Sequence, residues 1–230
     1  MTAALTFNRS ETFSMPHPST STASLRQPGS VLFEDDFQRL DPRHWRSETE
    51  QPQHSQVTVE QGRLIMDTRA GMTLWLQQPL HGAYRIEFLR QVLVAGQGND
   101  RLSDMNVFWA AHEPGSEQLR ARDGVLESYD SLATYYVGMG GNGNTTTRFR
   151  HYDGSVERPL LGERLGAQDL LEAGRIYRIR IEVTADSTQY WVDDRQLFNQ
   201  PLQGLPPPGH FGFRSVWSRQ AISRFSVQAL

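Results

Sequence analysis

Short runs of alternating apolar and polar residues, separated by turn residues, are the feature that most constrains how this chain folds. Within residues 84–88, Tyr84, Ile86 and Phe88 fall on one face and two charged residues fall on the other. This alternation is typical of a β-strand with one buried face. Runs of the same kind occupy residues 31–37, 56–60, 63–69, 72–78, 104–111, 133–139, 145–152, 177–183, 188–193, 195–199, 209–216 and 221–228.

Turn residues such as Asp153-Gly154 separate the runs, and only residues 167–173 read as a helix. The pattern therefore predicts an all-β fold, an antiparallel β-sandwich or barrel. Folds of this kind reach about 200 residues as one domain, so we expect a single domain over residues 31–230. Residues 1–30 are rich in Ser, Thr and Pro and lack the apolar stretch of a secretory signal. We expect them to be a disordered or processed tail.

Every one of the 23 basic residues is arginine, and the chain has no cysteine. Schiff-base lysines, phosphate-binding Walker lysines, thiol nucleophiles, disulfides and cysteine metal sites are therefore excluded. A net charge of -3 gives no reason to expect a nucleic-acid partner. No apolar run is long enough to span a membrane. Positive charge at any site must come from guanidinium groups, which stay protonated and bind carboxylates in a bidentate fork.

A glycine-rich connection, Gly140–Asn144, joins two predicted strands. Gly and Asn tolerate positive φ angles, so we expect a hairpin at this connection. In the first strand of this hairpin, residues 133–139, the alternation places Tyr136 on the face opposite the core. The core face of that strand is predicted to carry Tyr135, Val137 and Met139.

The second strand of this hairpin carries Arg148 and Arg150 on one face, together with Tyr152. Two guanidinium groups so close on one face repel each other unless an acceptor lies nearby. That acceptor is either a carboxylate of the protein or a carboxylate of a ligand, and the sequence leaves both open. His151 adjoins the arginine pair, with a solvent-facing strand residue as the plainer interpretation.

Polar residues in other apolar strands add to this list of candidates. Asn106 interrupts an apolar strand and needs a hydrogen-bond partner, either a neighbouring loop or a polar groove. Arg214 follows two phenylalanines and is a third arginine that could face inward. The five tryptophans are expected mainly in the core, with one or two available to stack on a sugar.

Metal chemistry has little support in the sequence. The seven histidines show no metal-ligand spacing, so we predict no catalytic metal. The carboxylates within residues 34–36 could contribute to a structural calcium site, although surface carboxylates at a strand start are the commoner explanation.

Several segments resemble a known fold family. LFEDDF at 32–37, GRLIM at 62–66 and GAYRIEF at 82–88 resemble the start of a concanavalin-like jelly roll, and GHFGFR at 209–214 resembles one of its last strands. NDRLSDMNVFW at 99–109 and YYVGMGGNGNTTTRFRHYDG at 135–154 resemble a bacterial domain family of unknown function. Members of that family occur with polysaccharide-degradation proteins. The resemblance implies two curved sheets with a concave groove and a secreted or periplasmic location.

Proteins with the jelly-roll fold include glucanases, polysaccharide lyases and lectins, so the fold does not decide the activity. The individual residues must be used to distinguish these activities. A retaining glucanase needs two carboxylates about 5–5.5 Å apart. The nearest candidate, ESYD at 127–130, stops after one pair, which counts against hydrolysis. A lyase that acts on a uronate needs a group that neutralises the substrate carboxylate, a base and an acid.

We therefore predict a polysaccharide lyase that acts on an acidic, uronate-containing polysaccharide. The alternatives are a non-catalytic carbohydrate-binding module, a glycoside hydrolase without the usual carboxylate pair, and a structural domain. The predicted catalytic residues are Asn106, Tyr136, Arg148, Arg150 and His151. The predicted substrate-binding residues are Trp109, Tyr129, Asn142, Asn144 and Arg214.

Overall fold

The computed structural model describes Met1 and residues 27–116 and 118–230. Its strands are β1 (Val31–Asp35), β2 (Trp45–Thr49), β3 (Gln56–Glu60), β4 (Arg63–Leu76), β5 (Tyr84–Leu93), β6 (Met105–His112), β7 (Ala133–Gly140), β8 (Thr146–Asp153), β9 (Leu160–Arg164), β10 (Ile176–Val183), β11 (Ser187–Val192), β12 (Arg195–Pro201) and β13 (His210–Ala229). The described helices are single turns at Leu126–Tyr129, Gly141–Asn144 and Ala167–Asp169. None of these is long and apolar enough to cross a membrane.

The two longest strands, β4 and β13, pair with each other and join two layers. Along one side of β13, its first part pairs with β6 and its later part pairs with β5. One layer continues from β6 through β7 and β8 to β9, and the other continues from β5 through β10 and β11 to β12. All of these pairings are antiparallel. The result is the predicted β-sandwich of jelly-roll type, closed into a curved near-barrel.

Bulges let β13 serve both layers. The register of β13 against β4 shifts between Val216 and Ser218, and its register against β5 shifts between Ser223 and Ser226. A bulge bends a strand and increases its local twist, so a single strand can pass from one layer to the other. The predicted runs 209–216 and 221–228 are therefore parts of one strand, and the same is true of 63–69 and 72–78.

An aromatic core fills the space between the layers. Phe213 and Phe225 contact each other, and each also contacts Trp45 and Phe88, with ring centroids 5.0–6.2 Å apart. Full burial of such a side chain contributes about 1.5–3 kcal/mol to stability. The strand residues predicted to face the core do so: Tyr135, Val137 and Met139.

Three sequence predictions differ from the structure. Strands β2 and β9 were not predicted, because WRSET and LLGER lack a clear apolar alternation. The helix predicted over 167–173 is wrong beyond Asp169. The backbone carbonyl of Asp169 accepts a hydrogen bond of 2.6 Å from Thr147 Oγ1, and its carboxylate binds Arg195. Because the Asp169 carbonyl binds Thr147, it is not available for the backbone hydrogen bond that would continue the helix.

The predicted tail falls largely on residues 2–26, which lie outside the described residues. At its end, Gly29 N donates to Ala229 O and Ala229 N donates to Ser30 O, at 2.7 and 2.9 Å. The ladder between β1 and β13 therefore begins immediately before Val31.

Gly212 on β13 lies directly beneath the Trp75 ring. A Cβ atom at this position would lie 2.6 Å from Trp75 Cε3. We expect Gly212→Ala to lower the free energy of unfolding by about 1–3 kcal/mol, because the ring must move. Gly98→Ala is the control, since a Cβ there meets nothing within 4 Å, and we expect little change. Urea unfolding measures both, and equal stability of the two variants would contradict the prediction.

Candidate functional site

The hairpin between β7 and β8 forms the predicted glycine-rich turn. Positive φ angles of 69°, 53°, 69° and 62° occur at Gly140, Asn142, Gly143 and Asn144. This confirms the conformational reason for predicting a hairpin here. Asn144 is used within the chain, because its side-chain amide donates to Leu171 O and accepts from Leu171 N, at 2.9 and 2.8 Å.

The register of three neighbouring strands brings several predicted residues to one face. On β7, Tyr136 lies opposite Arg150 of β8, and Gly138 lies opposite Arg148. Asn106 of β6 lies opposite Gly138 from the other side. We call this outer surface of β6, β7, β8 and the adjoining parts of β4 and β13 the groove face.

An open cleft of about 440 Å³ lies on the groove face at β7 and β8. We call it the Arg150 cleft. Four of the predicted site residues line it: Asn142, Tyr136, Arg148 and Arg150. The wall also includes Asp104, Leu126, Gly138, Gly141, Thr146, Tyr152, Val156, Glu157 and Arg158.

The three arginines of the cleft differ in how their charge is compensated. Arg148 Nε lies 2.5 Å from a Glu163 carboxylate oxygen, and Arg158 Nε lies 2.5 Å from an Asp130 carboxylate oxygen. Arg150 instead donates to a backbone carbonyl, Arg158 O, at 2.6 Å. Within the described residues Arg150 has no carboxylate partner within 4.0 Å, so the cleft carries an uncompensated guanidinium.

Tyr136 faces Arg150 across the strand pair, and its ring leans over Gly138. A Cβ atom on Gly138 would lie 2.9 Å from the Tyr136 hydroxyl oxygen, so this ring position requires glycine. The described residues provide no hydrogen-bond partner for this hydroxyl. Burial raises the pKa of Tyr136 above its ordinary value, so the hydroxyl stays protonated at neutral pH. It can therefore donate a proton or a hydrogen bond, but it is not a base in the free protein.

The described residues of the connection between β6 and β7, 113–116 and 118–132, cover much of the remaining groove face, and we call them the strap. Tyr129 of the strap packs against Trp75 and Phe108, with ring centroids 6.1 and 5.4 Å apart. The strap crosses β4 at a pair of glycines. A Cβ atom on Gly71 would lie 2.2 Å from Gly124 O. This close approach closes the central part of the groove face.

A buried carboxylate, Glu48 of β2, holds the strap in place. It accepts hydrogen bonds from Trp75 Nε1 and the Tyr129 hydroxyl, both at 2.8 Å, and from Arg122 N at 3.0 Å. A fourth hydrogen bond comes from Arg46 Nη2, which donates to Glu48 Oε1 at 3.2 Å. No sequence signal identifies Glu48, because β2 itself could not be predicted.

The strap also explains where Arg214 and Tyr129 lie. Both are buried, and Arg214 Nη1 donates to Thr73 Oγ1 at 2.9 Å and to Gly124 O at 3.1 Å. These two predicted binding residues are therefore covered by the strap and do not line the Arg150 cleft. Asn106 is similarly buried, at 1% exposure, and its Oδ1 has no hydrogen-bond partner in the described part of the chain.

Positive charge is also buried beneath the groove face. Arg90 lies in the interior, where it donates to Asn106 O at 2.7 Å and to Arg214 O at 2.9 Å. Burial lowers the pKa of Arg90 to about 9, so it remains charged at neutral pH. Neither Arg90 nor Arg214 has a carboxylate within 4.0 Å among the described residues, so no direct ion pair compensates either guanidinium.

Two predicted residues lie on the other side of the sheet. Trp109 is fully buried in the core, and its Nε1 donates to Thr188 Oγ1 at 2.8 Å. His151 stacks on Tyr135 with ring centroids 4.6 Å apart, and burial lowers its pKa. Strand alternation is the reason, since neighbouring residues 150 and 151 point to opposite faces. Neither Trp109 nor His151 shares the Arg150 cleft.

The acidic segment at residues 34–36 forms local contacts. Asp35 accepts hydrogen bonds from Phe37 N and Trp45 Nε1, both at 2.8 Å. Asp36 accepts a hydrogen bond from Gln38 N at 3.4 Å. Across the described ranges, no three His, Asp or Glu side chains are grouped so that they could hold a metal ion.

Replacement of Glu48 by glutamine tests how the strap is held. An amide cannot accept all four hydrogen bonds, so we expect Glu48→Gln to lower the free energy of unfolding by about 2–3 kcal/mol. We also expect faster tryptic cleavage after Arg120 and Arg122 of the strap. The control is Glu163→Gln at the cleft rim, where loss of one half-exposed ion pair costs about 0–1 kcal/mol. Unchanged cleavage in Glu48→Gln would contradict this role.

Solved structures with the same fold include carbohydrate-related proteins. A protein of unknown function with a galectin-like fold from Bacillus subtilis has a TM-score of 0.70 and 14% identity, over 88% of this chain and 97% of that one. The carbohydrate-binding module CBM66 from Bacillus subtilis has a TM-score of 0.55 and 8% identity, over 81% and 96%. The endo-β-1,3-glucanase from Pyrococcus furiosus has a TM-score of 0.63 and 7% identity, over 87% and 94%.

At these low identities the similarity establishes the fold. No curated protein matches the sequence significantly. Residues 66–225 match the family described as a domain of unknown function, DUF6250, and this chain belongs to that family.

Proposed function

We propose that this domain binds an acidic, uronate-containing glycan in the Arg150 cleft. The uncompensated guanidinium of Arg150 is the observation that carries this proposal. It lies in an open cleft, and its one side-chain hydrogen bond to a described residue is with a backbone carbonyl. A sugar carboxylate would supply the missing negative charge and would match the planar fork of donors.

The rest of the cleft supports this use of Arg150. Arg148 and Arg158 are held by Glu163 and Asp130, so they shape the wall while most of their charge is neutralised. The buried guanidiniums of Arg90 and Arg214 lie beneath the groove face, and neither forms an ion pair within 4.0 Å with a described carboxylate. Charge in a poorly solvated floor is weakly screened, so it favours an anion in the cleft above.

This domain shares its fold with carbohydrate-related proteins, which supports a glycan as the ligand. A carbohydrate-binding module and a glucanase share the architecture of this domain. Fold alone does not select a ligand, so the choice of an acidic glycan depends on the arginines. We also propose a secreted or periplasmic location, where the protein would encounter such polysaccharides.

β-Elimination on the same glycan is a second candidate, favoured by the unpartnered hydroxyl of Tyr136. In this reaction a base removes the proton α to the uronate carboxylate, and the bond to the β oxygen breaks. Arg150 would neutralise the carboxylate, and Tyr136 would give its proton to the leaving oxygen. Asp104 and Glu157 line the cleft and are the carboxylates that could take the α-proton.

Loss of the Arg150 guanidinium tests binding. We expect Arg150→Ala to weaken binding of a uronate oligosaccharide about 10- to 100-fold, because a charged hydrogen-bonded pair is lost. Arg150→Lys should restore only part of the affinity, since the fork is absent. Isothermal titration calorimetry measures each affinity.

Arg164→Ala is the matched control for this titration. Arg164 lies on β9 opposite Thr147, so it faces away from the groove face, and it donates to a backbone carbonyl. We expect its loss to leave the affinity unchanged. Wild-type affinity in Arg150→Ala would overturn the proposed site.

The elimination reaction has a separate readout in the ultraviolet absorbance of the unsaturated uronate product. We expect wild-type protein to produce this absorbance on a uronate polysaccharide and Tyr136→Phe to reduce the rate about 100-fold. The variant should still bind the oligosaccharide. Absence of product from wild-type protein on a panel of uronate polysaccharides would reject elimination and would leave binding as the function.

A further inference from the structure

Another solvent-exposed guanidinium without a described carboxylate partner lies where β4 and β13 bulge against each other. The Cζ atom of Arg69 lies 3.9 Å from the centroid of the Trp217 ring. The two residues are opposite each other between the paired positions Gly71–Val216 and Thr68–Ser218. Both are exposed, and Trp217 keeps 37% of its surface accessible.

The Arg69 guanidinium lies over an aromatic ring but has no polar partner among the described residues. Arg69 forms no ion pair with any described carboxylate, and its side chain makes no hydrogen bond to a described residue. Stacking on an aromatic ring holds a guanidinium while leaving its in-plane N–H donors available. This arrangement suits a planar anion that approaches from the edge, such as a carboxylate.

The backbone at Trp217 is strained for a residue of this size. Its φ angle is 47°, in the left-handed region that glycine adopts most easily. Such strain persists where a neighbouring structure enforces it, and it concentrates at functional positions. Here the bulge turns a large aromatic ring toward solvent and Arg69, where it gains less from burial than a core tryptophan does.

A contact path joins Trp217 to the Arg150 cleft. Arg101 lies between them, with its Cζ 5.5 Å from the Trp217 centroid. Arg101 Nη2 donates to Val216 O at 2.8 Å and to the carboxylate of Asp104 at 2.6 Å. Asp104 in turn lines the Arg150 cleft. Strand spacing and rise place Trp217 on the order of 20 Å from Arg150.

We infer that Arg69, stacked on Trp217, is a second carboxylate-binding subsite for the same acidic glycan. This inference rests on the proposed function of the Arg150 cleft. A chain with repeated uronates presents carboxylates at intervals, so one molecule can contact both guanidiniums. A disaccharide is too short to reach from one to the other, and a longer oligosaccharide can span them. Chain length therefore separates the two subsites.

The test compares a uronate disaccharide with a uronate octasaccharide by calorimetry on the full chain. We expect Arg69→Ala to weaken octasaccharide binding about tenfold and to leave disaccharide binding in the Arg150 cleft unchanged. Trp217→Ala should have the same effect, because Arg69 loses the ring that orients it. Trp217→Gly should weaken octasaccharide binding equally while unfolding at the same or higher urea concentration, since glycine relieves the backbone strain.

Arg180→Ala is the matched control, because Arg180 also stacks on a tryptophan. Its Cζ lies 4.2 Å from the Trp191 centroid, but its charge is compensated by Glu182 at 3.5 Å. We expect this variant to bind both oligosaccharides like wild type. Wild-type octasaccharide affinity in folded Arg69→Ala would overturn the second subsite and leave the Arg150 cleft standing. Failure of wild-type protein to bind either oligosaccharide would overturn the proposed function, and the second subsite with it.

Discussion

The pairing of β4 with β13 is the constraint on which the rest of the structure depends. Because β13 continues through both layers, its first part can pair with β6 and thereby fix the register of β7 and β8. That register places Tyr136 and Arg150 opposite each other on the groove face. The bulge that lets β13 change layers also turns Trp217 outward. The sandwich and both proposed contact points therefore follow from one pair of strands.

Charge compensation distinguishes the arginines that maintain the structure from those available to a ligand. Arg148 and Arg158 lie in the same cleft as Arg150, yet each is held by a carboxylate of the protein. In a chain without lysine every permanent side-chain cation is a guanidinium, so residue type alone cannot separate these roles. The distinction depends on which carboxylates the fold brings near, and Glu163 and Asp130 are both distant from their partners along the chain.

Local patterns predicted the elements well, and contacts distant in sequence limited the prediction of the site. Alternation identified most strands, and Gly and Asn identified the turn at Gly140–Asn144, because both signals depend on neighbouring residues. Alternation also put Tyr136, Arg148 and Arg150 on suitable faces. It could not show that a strap covers Arg214 and buries Tyr129. Glu48 was missed because its significance comes from partners more than 25 residues away.

The way the strap is attached has a consequence for folding and local stability. The described part of the strap contains no strand, and the Tyr129–Glu48 contact spans 81 residues of sequence. It can dock only after β2 and β4 have paired, since these strands carry Glu48, Gly71 and Trp75. Segments without ladder hydrogen bonds open at lower free energy than the strands beneath them. The strap amides should therefore exchange with solvent deuterium before those of β4 and β13, so the wall of the Arg150 cleft that Leu126 contributes opens at lower free energy than the sheet beneath it.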